Sequence, residues 1–173
     1  MIRLYLLRHA EAEVEAADDS LRNLTELGWE QALASADWLC GQVATPARII
    51  TSPLLRARQT ALVVQQTLNL PEATIDSSFL PDADIVRAEQ MIAMAFRDNI
   101  DELIVVSHMP LIASLSCWLQ EGVMSVGDAF SLAEVRIIEA EVLAPGLGQI
   151  GACFVPDETG RQGSEWRSLL PRL

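Results

Sequence analysis

The chain contains no lysine, and all twelve of its basic side chains are arginine. Because a guanidinium group is planar and presents several donors, it can hold a phosphate or carboxylate in bidentate fashion. The 24 acidic residues outnumber the arginines and give a net charge of -12. This excess of negative charge argues against a surface for nucleic acid or for an anionic membrane, both of which need basic patches.

Cysteines and long apolar runs are also scarce. The three cysteines, Cys40, Cys117 and Cys153, are widely spaced among apolar residues. An odd number without metal-ligand spacing favours reduced core cysteines over a disulfide framework or a zinc site. No apolar run reaches the roughly 18 residues of a membrane span, and the apolar start meets Arg8-His9 too early for a signal peptide. We therefore expect a cytoplasmic protein without a membrane segment.

Composition and patterning predict one α/β domain with a short tail. Hydrophobic residues make up 50% of the chain and charged residues 21%, as in folded globular domains. Strand-like segments at 2–7, 47–51, 73–76 and 103–106 alternate with helix-like segments at 25–41, 53–68, 84–99 and 111–120. This alternation predicts a three-layer sandwich, with helices on both faces of a mostly parallel sheet. Strands at 130–139 and 149–155 are expected as an antiparallel C-terminal addition, so that the domain covers 1–156 and a polar tail 157–173.

Both histidines stand where a strand-like segment ends. Arg8 and His9 follow the first strand, and His108 follows the strand at 103–106 after a single serine. In an open α/β sheet, ligands bind at the carboxyl ends of the strands. The two imidazole rings are therefore expected at one sheet edge beside an arginine, an arrangement that suits chemistry on an anion. Placement alone leaves open that the histidines are unrelated.

Two further segments are expected at the same edge. Ser52 follows the strand at 47–51 and is predicted to cap a helix that begins at Pro53 and presents Arg56. Arg22 lies in the loop after the first strand. The acidic tract at 11–19 in that loop is expected to be solvated, and selection of a basic partner surface is the alternative. With the two histidines, three guanidinium groups around one point would bind a dianion such as a phosphoryl group.

Three motifs resemble those of the histidine phosphatase superfamily, which has the phosphoglycerate mutase-like fold. The segment Leu6–Ala10 is similar to its signature of an arginine and a histidine at the end of the first strand. The segment Ser52–Ala61 resembles the second motif, a serine-proline start of a helix that presents an arginine. The segment Val105–His108 resembles the third, a second histidine that ends a later strand. Their order and spacing agree over about residues 1–122.

Within that superfamily, the tract Asp19–Thr25, the segment Phe79–Asp82 and the short chain resemble the SixA-type phosphohistidine phosphatases. The resemblance implies that His9 is the nucleophile. It also implies a phosphoryl-binding set of Arg8, Arg22, Arg56 and His108, to which we add Ser52 as a predicted substrate contact. The implied substrate is a phosphorylated protein in signal transduction, such as the histidine phosphotransfer domain of a sensor kinase.

Elementary chemistry is consistent with these roles. A histidine attacks phosphorus only as the neutral imidazole, and nearby guanidinium groups should lower the pKa of His9. The other ring nitrogen should donate to an acceptor, for which a backbone carbonyl is expected. Phosphoryl transfer depends mainly on positioning and charge neutralisation. Since the chain has no HxH, HxxxH or clustered carboxylate motif, we predict a mechanism without a metal ion or other cofactor.

The sequence does not identify a general acid for the reaction. A phosphomonoesterase must protonate a departing alkoxide, whereas the imidazole of a phosphohistidine leaves easily. The candidate acids are Glu11, Glu13, Asp82 and Asp84, but no motif secures the role for any of them, and Asp82 or Asp84 could equally be a helix cap. The lack of a convincing general acid among these four residues favours a phosphoramidate substrate. A small-molecule phosphomonoesterase and a non-catalytic module that binds phosphorylated proteins remain the alternatives.

Overall fold

The computed structural model of the protein describes residues 1–44, 46–97 and 100–156. Its strands are β1 (Ile2–Arg8), β2 (Ala47–Thr51), β3 (Thr74–Ile75), β4 (Glu102–Ser107), β5 (Val135–Ala140) and β6 (Gln149–Phe154). Its α-helices are α1 (Glu26–Cys40), α2 (Leu55–Leu68), α3 (Ile85–Phe96) and α4 (Leu111–Glu121). The predicted tail at 157–173 lies outside the described residues.

One six-stranded sheet, in the order β3-β2-β4-β1-β5-β6, organises the chain. β3, β2, β4 and β1 are parallel, whereas β5 is antiparallel to β1 and β6 is antiparallel to β5. The prediction of a mostly parallel sheet with an antiparallel C-terminal addition is confirmed. Because β1 lies directly beside β4, the segments that follow these two strands leave the sheet side by side.

Alternation along β1 supplies two hydrophobic cores, one on each face of the sheet. Tyr5 and Leu7 are fully buried in a core to which α1 and α2 contribute. Leu4 and Leu6 are fully buried in the opposite core, which contains residues of α3 and α4. The three-layer sandwich is thus as predicted. No helix of the described residues is long and apolar enough to span a membrane.

The predicted start of α2 is wrong. The helix begins at Leu55, and its N-cap residue is Leu54, which makes no capping hydrogen bond through its side chain. Ser52 still belongs to the end of the sheet, because its backbone N–H donates to the carbonyl of Val106 at 3.1 Å. The chain therefore needs two more residues to turn away from the sheet before it becomes helical.

Two other predictions also need correction. β5 begins at Val135 and not at residue 130, because Ala133 adopts a left-handed conformation with φ of 55° and the chain turns there. Among the cysteines only Cys117 is buried, while Cys40 and Cys153 are exposed. Cys40 ends α1, and Cys153 lies on β6, the last strand of the sheet, which has no buried residue.

Candidate active site

The pairing of β1 with β4 places the two histidines next to each other. Arg8 is opposite Ser107 in the register, and the backbone N–H of His9 donates to the carbonyl of Ser107 at 3.0 Å. His108 follows Ser107 directly in the chain. The centroids of the two imidazole rings lie 4.9 Å apart. The convergence that the sequence suggested is therefore a property of the strand register.

A half-open cavity of about 300 Å³ lies over this pair of rings. It is lined by Arg8, His9, Glu11, Ala12, Arg22, Arg56, Pro81, His108, Met109 and Leu132. The structure thus brings together five of the six predicted site residues. Ser52, the sixth, is fully buried and is not among the lining residues. Arg58, two residues after Arg56, is exposed and lines another surface.

His9 is held as one tautomer of the neutral ring. Its Nδ1 lies 2.7 Å from the carbonyl oxygen of Ala10. Because a carbonyl can only accept, Nδ1 carries the proton and donates, and the lone pair is left on Nε2. The pKa of His9 is lowered to about 4: burial has the largest effect, the Ala10 carbonyl opposes it, and the charges of Arg56, Arg8 and Arg22 add to the lowering. The predicted backbone acceptor is confirmed, but burial has a larger effect than the guanidinium groups.

His108 is also neutral. Burial lowers its pKa to about 2, with smaller contributions from His9 and the neighbouring arginines. Its Nε2 lies 2.7 Å from the Ser52 hydroxyl oxygen, whereas its buried Nδ1 has no hydrogen-bond partner among the described residues. The Nε atoms of Arg8 and Arg56 are likewise buried and unpartnered in this part of the chain. Since unpaired buried polar atoms are costly, three such atoms on cavity-lining side chains indicate a site built for a hydrogen-bond acceptor.

Comparison with known proteins agrees with this geometry. A family model of the histidine phosphatase superfamily (branch 1) matches residues 4–79. The phosphohistidine phosphatase SixA of Escherichia coli strain K12 is 33% identical over 122 residues, which are 70% of this chain and 76% of that protein. The chain belongs to the histidine phosphatase superfamily. A SixA homologue of Haemophilus influenzae is 28% identical over 122 residues, which cover 66% of this chain and 74% of that protein.

A solved structure extends the similarity to the fold. The structure of the protein histidine phosphatase SixA complexed with tungstate has a TM-score of 0.80 and 28% sequence identity with this histidine phosphatase. The alignment covers 89% of this chain and 97% of that one. The phosphoglycerate mutase-like fold and the superfamily that the three motifs predicted are therefore confirmed.

Asp19 is the site residue that the sequence analysis missed. Its carboxylate oxygens accept from Nε of Arg22 at 2.9 Å and from a terminal nitrogen of Arg56 at 3.2 Å. The acidic tract is exposed from Glu13 to Asp19, as expected, but Asp19 also pairs with two cavity-lining arginines. The only signal in the sequence was its position three residues before Arg22, which does not reveal the contact with Arg56.

The candidate acids are distributed unequally around the site of this histidine phosphatase. Glu11 lines the cavity, although one of its carboxylate oxygens accepts from the Thr25 hydroxyl at 2.8 Å. Glu13 and Asp82 are exposed and do not line it. Asp84 caps α3 by accepting from the backbone N–H of Arg87 at 2.9 Å. Within the described residues, no group of three or more His, Cys, Asp or Glu could hold a metal ion.

Proposed function

We propose that this histidine phosphatase hydrolyses phosphohistidine through a covalent intermediate on His9. The observation that carries the proposal is the tautomer of His9: Nδ1 is occupied by the Ala10 carbonyl, which leaves the lone pair of Nε2 for attack on phosphorus. The low pKa of the ring keeps this lone pair free across the neutral pH range. The cavity is lined by the cations that such a reaction requires.

The reaction has two steps. Nε2 of His9 forms a bond to phosphorus while the bond between phosphorus and the substrate imidazole breaks, and the departing imidazole retains or takes up one proton. Water then attacks the phosphorylated His9, releases inorganic phosphate and restores the free ring. Arg8, Arg22, Arg56 and His108 hold the phosphoryl oxygens in both steps, and neither step routes through a metal ion or other cofactor. Positioned donors of this kind are each worth about 3 kcal/mol of barrier.

We assign Ser52 a role behind His108 in place of direct contact with substrate. Ser52 Oγ accepts from the backbone N–H of Leu54 at 3.3 Å, so its hydroxyl proton is free to donate to Nε2 of His108, 2.7 Å away. The ring proton of His108 then lies on Nδ1, the atom that has no partner among the described residues. In this tautomer His108 donates to a phosphoryl oxygen.

The proposed substrate is a phosphorylated protein of the cytoplasm, with the histidine phosphotransfer domain of a sensor kinase as the partner we favour. A half-open cavity suits a side chain that another protein presents. An apolar groove of about 460 Å³ is lined in part by chain neighbours of cavity-lining residues, since Asn23 follows Arg22 and Leu55 precedes Arg56. From Leu55 to Gln65 the groove follows α2 for about 15 Å, a length that accommodates one helix of the protein that delivers the phosphohistidine.

The test compares two substrate classes with one enzyme preparation. We expect turnover of a histidine phosphotransfer domain phosphorylated on histidine, loss of turnover in His9→Ala, and an acid-labile phosphate on His9 after rapid quenching. Little hydrolysis of a panel of phosphate monoesters is expected. Turnover of monoesters alone would overturn the substrate assignment, and binding of the phosphorylated domain without His9-dependent turnover would favour the binding module.

Glu11 gives the monoesterase alternative its specific support, because it is the one candidate acid of the four that lines the cavity. If Glu11 protonated an alkoxide leaving group, Glu11→Gln would abolish the hydrolysis of monoesters. Hydrolysis of phosphohistidine needs no such acid and should change by less than about threefold in this variant. The ratio of the two activities therefore separates the two functions.

A further inference from the structure

Asp19 joins two arginines that come from different parts of the chain. Arg56 is contributed by α2, and Arg22 by the loop after a short 3₁₀ turn, Asp19–Leu21. One carboxylate oxygen of Asp19 accepts from Arg22 at 2.9 Å, and the other accepts from Arg56 at 3.2 Å. The backbone carbonyl of Asp19 also accepts from a second terminal nitrogen of Arg56 at 2.9 Å. Three of its oxygens are thus engaged by cavity-lining guanidinium groups.

These contacts differ from an ordinary surface ion pair. The side chain of Asp19 is 66% exposed, but that of Arg56 is only 5% exposed, so the contact reaches into the interior. Burial disfavours the charged form of Asp19, yet the attraction of Arg56 and Arg22 prevails and lowers the pKa of the carboxyl. The turn is held in place separately, because Asp18 caps it through the backbone N–H of Ser20 at 2.7 Å.

The two arginines need such a link. Arg22 and Arg56 repel each other, and the charge of Arg22 contributes to the lowered pKa of Arg56 after burial. Apart from Asp19, the hydrogen bond recorded for the Arg22 side chain is to the carbonyl of Glu13 at 3.0 Å. Without the carboxylate, Arg56 would keep its contact with the backbone carbonyl of Asp19, but Arg22 would lose its link to Arg56 and regain side-chain freedom. The phosphoryl group would then have to restore the arrangement of the two guanidinium groups at an entropic cost.

We propose that Asp19 is a positioning residue that holds the guanidinium groups of Arg22 and Arg56 in the arrangement that receives the phosphoryl group. This inference rests on the proposed function and deepens it, since it concerns how the same site recognises the transition state. Asp19 does not touch the substrate. It acts through the two arginines, and the nearby acidic residues of the tract, such as Glu15, do not share the role.

The experiment compares Asp19→Ala and Asp19→Asn with Glu15→Gln, which removes the same charge from an exposed position of the same tract. We expect kcat to fall about 10- to 100-fold in both Asp19 variants. KM should change less than about threefold, because the removal of a negative charge near the phosphate offsets the loss of aligned donors. Glu15→Gln should match the wild type, and each variant is assayed well below its melting temperature, because loss of the ion pairs at Asp19 should also lower stability.

A double-mutant cycle with Arg22→Ala supplies the second readout. If Asp19 acts through Arg22, the combined loss in Asp19→Ala/Arg22→Ala must be smaller than the product of the two single losses. Four results would overturn the proposal. The Asp19 variants could keep wild-type kcat, or Glu15→Gln could lose as much kcat as they do. The loss of kcat could follow the loss in melting temperature, or the losses from Asp19→Ala and Arg22→Ala could simply multiply. If the enzyme hydrolyses only monoesters, the same comparison is made with a monoester, so the failure of the proposed substrate is distinguishable from the failure of Asp19.

Discussion

The hydroxyl oxygen of Ser52 lies 2.7 Å from Nε2 of His108, and both side chains are buried. Ser52 directly follows β2, and His108 directly follows β4. The contact therefore depends on the parallel pairing of these two strands. It engages one ring nitrogen of His108, while the other has no hydrogen-bond partner among the described residues.

Replacement of this serine should impair catalysis more than folding. Ser52→Ala is expected to lower kcat about tenfold, because His108 loses the partner that fixes its tautomer and ring orientation. The matched control is Ser35→Ala, which removes another buried hydroxyl, bonded at 2.6 Å to the carbonyl of Ala133. Each variant should lose about 1 kcal/mol of unfolding free energy. Equal activity in the two variants would contradict the role assigned to Ser52.

Arg56 and Arg58 provide a second matched pair on one helix. Arg56 is buried and lines the cavity, whereas Arg58 is exposed and lines the apolar groove. Arg56→Ala should lower kcat about 10²- to 10³-fold, as expected for loss of a preorganised donor. Arg58→Ala should retain activity toward a free phosphoramidate within about twofold. Steady-state kinetics on both variants check this, and comparable losses would show that charge near the groove matters more than placement in the cavity.

The buried histidines should make stability depend on pH. The pKa of His9 is lowered to about 4 and that of His108 to about 2, so both rings remain neutral in the folded protein. The unfolded chain takes up protons as the pH falls below about 6.5, and stability then falls. Between pH 6.5 and about 4, each ring should remove about 1.4 kcal/mol of unfolding free energy per pH unit. Above about pH 6.5 both rings are neutral in the folded and in the unfolded chain, so this loss of stability is absent.

Urea denaturation at pH 7 and at pH 5 measures this effect. The double variant His9→Gln/His108→Gln serves as the control, because it removes both buried titrating groups and should show a smaller difference between the two pH values. An equal pH dependence in the wild type and the control would mean that neither ring is held neutral by the fold.

Gly28 allows a close approach between α1 and the loop that follows β1. A Cβ at this position would lie 2.0 Å from the carbonyl oxygen of Glu11, which accepts from the backbone N–H of Thr25. Gly28→Ala should therefore cost about 1–3 kcal/mol of unfolding free energy. Gly41→Ala is the control, since its Cβ would lie 3.6 Å from the nearest such atom. Similar melting temperatures for the two variants would contradict the close contact.

The apolar groove is tested by a change that leaves the phosphoryl cavity intact. Ile75 lines the groove and is 50% exposed. Ile75→Asp should lower kcat/KM for a phosphorylated histidine phosphotransfer domain about tenfold, with little change for free phosphoramidate. Val142→Asp, at a residue that is 65% exposed and does not line the groove, should affect neither activity. Loss of both activities, or of neither, in Ile75→Asp would exclude the groove as the docking surface.

Local patterns in the sequence were sufficient for much of the fold. The apolar run at 2–7, followed by Arg8 and His9, predicted a buried strand that delivers an arginine and a histidine to the sheet edge. The N-cap Thr25 and the terminal Gly41 correctly bounded α1. These features depend on residues close together in the chain. The helix start at Leu55 was different, because Ser52 is engaged by Leu54 and by His108, which follows another strand.

The sequence by itself determined which groups are available: the neighbouring Arg8 and His9, a second histidine after a strand, and arginines without a single lysine. Only the tertiary structure decided how they work together. It placed the rings 4.9 Å apart through the register of β1 and β4, and it buried them, which lowers both pKa values. It also brought Asp19 to Arg56. Such effects depend on long-range packing and on exclusion of water, and no short stretch of sequence encodes either.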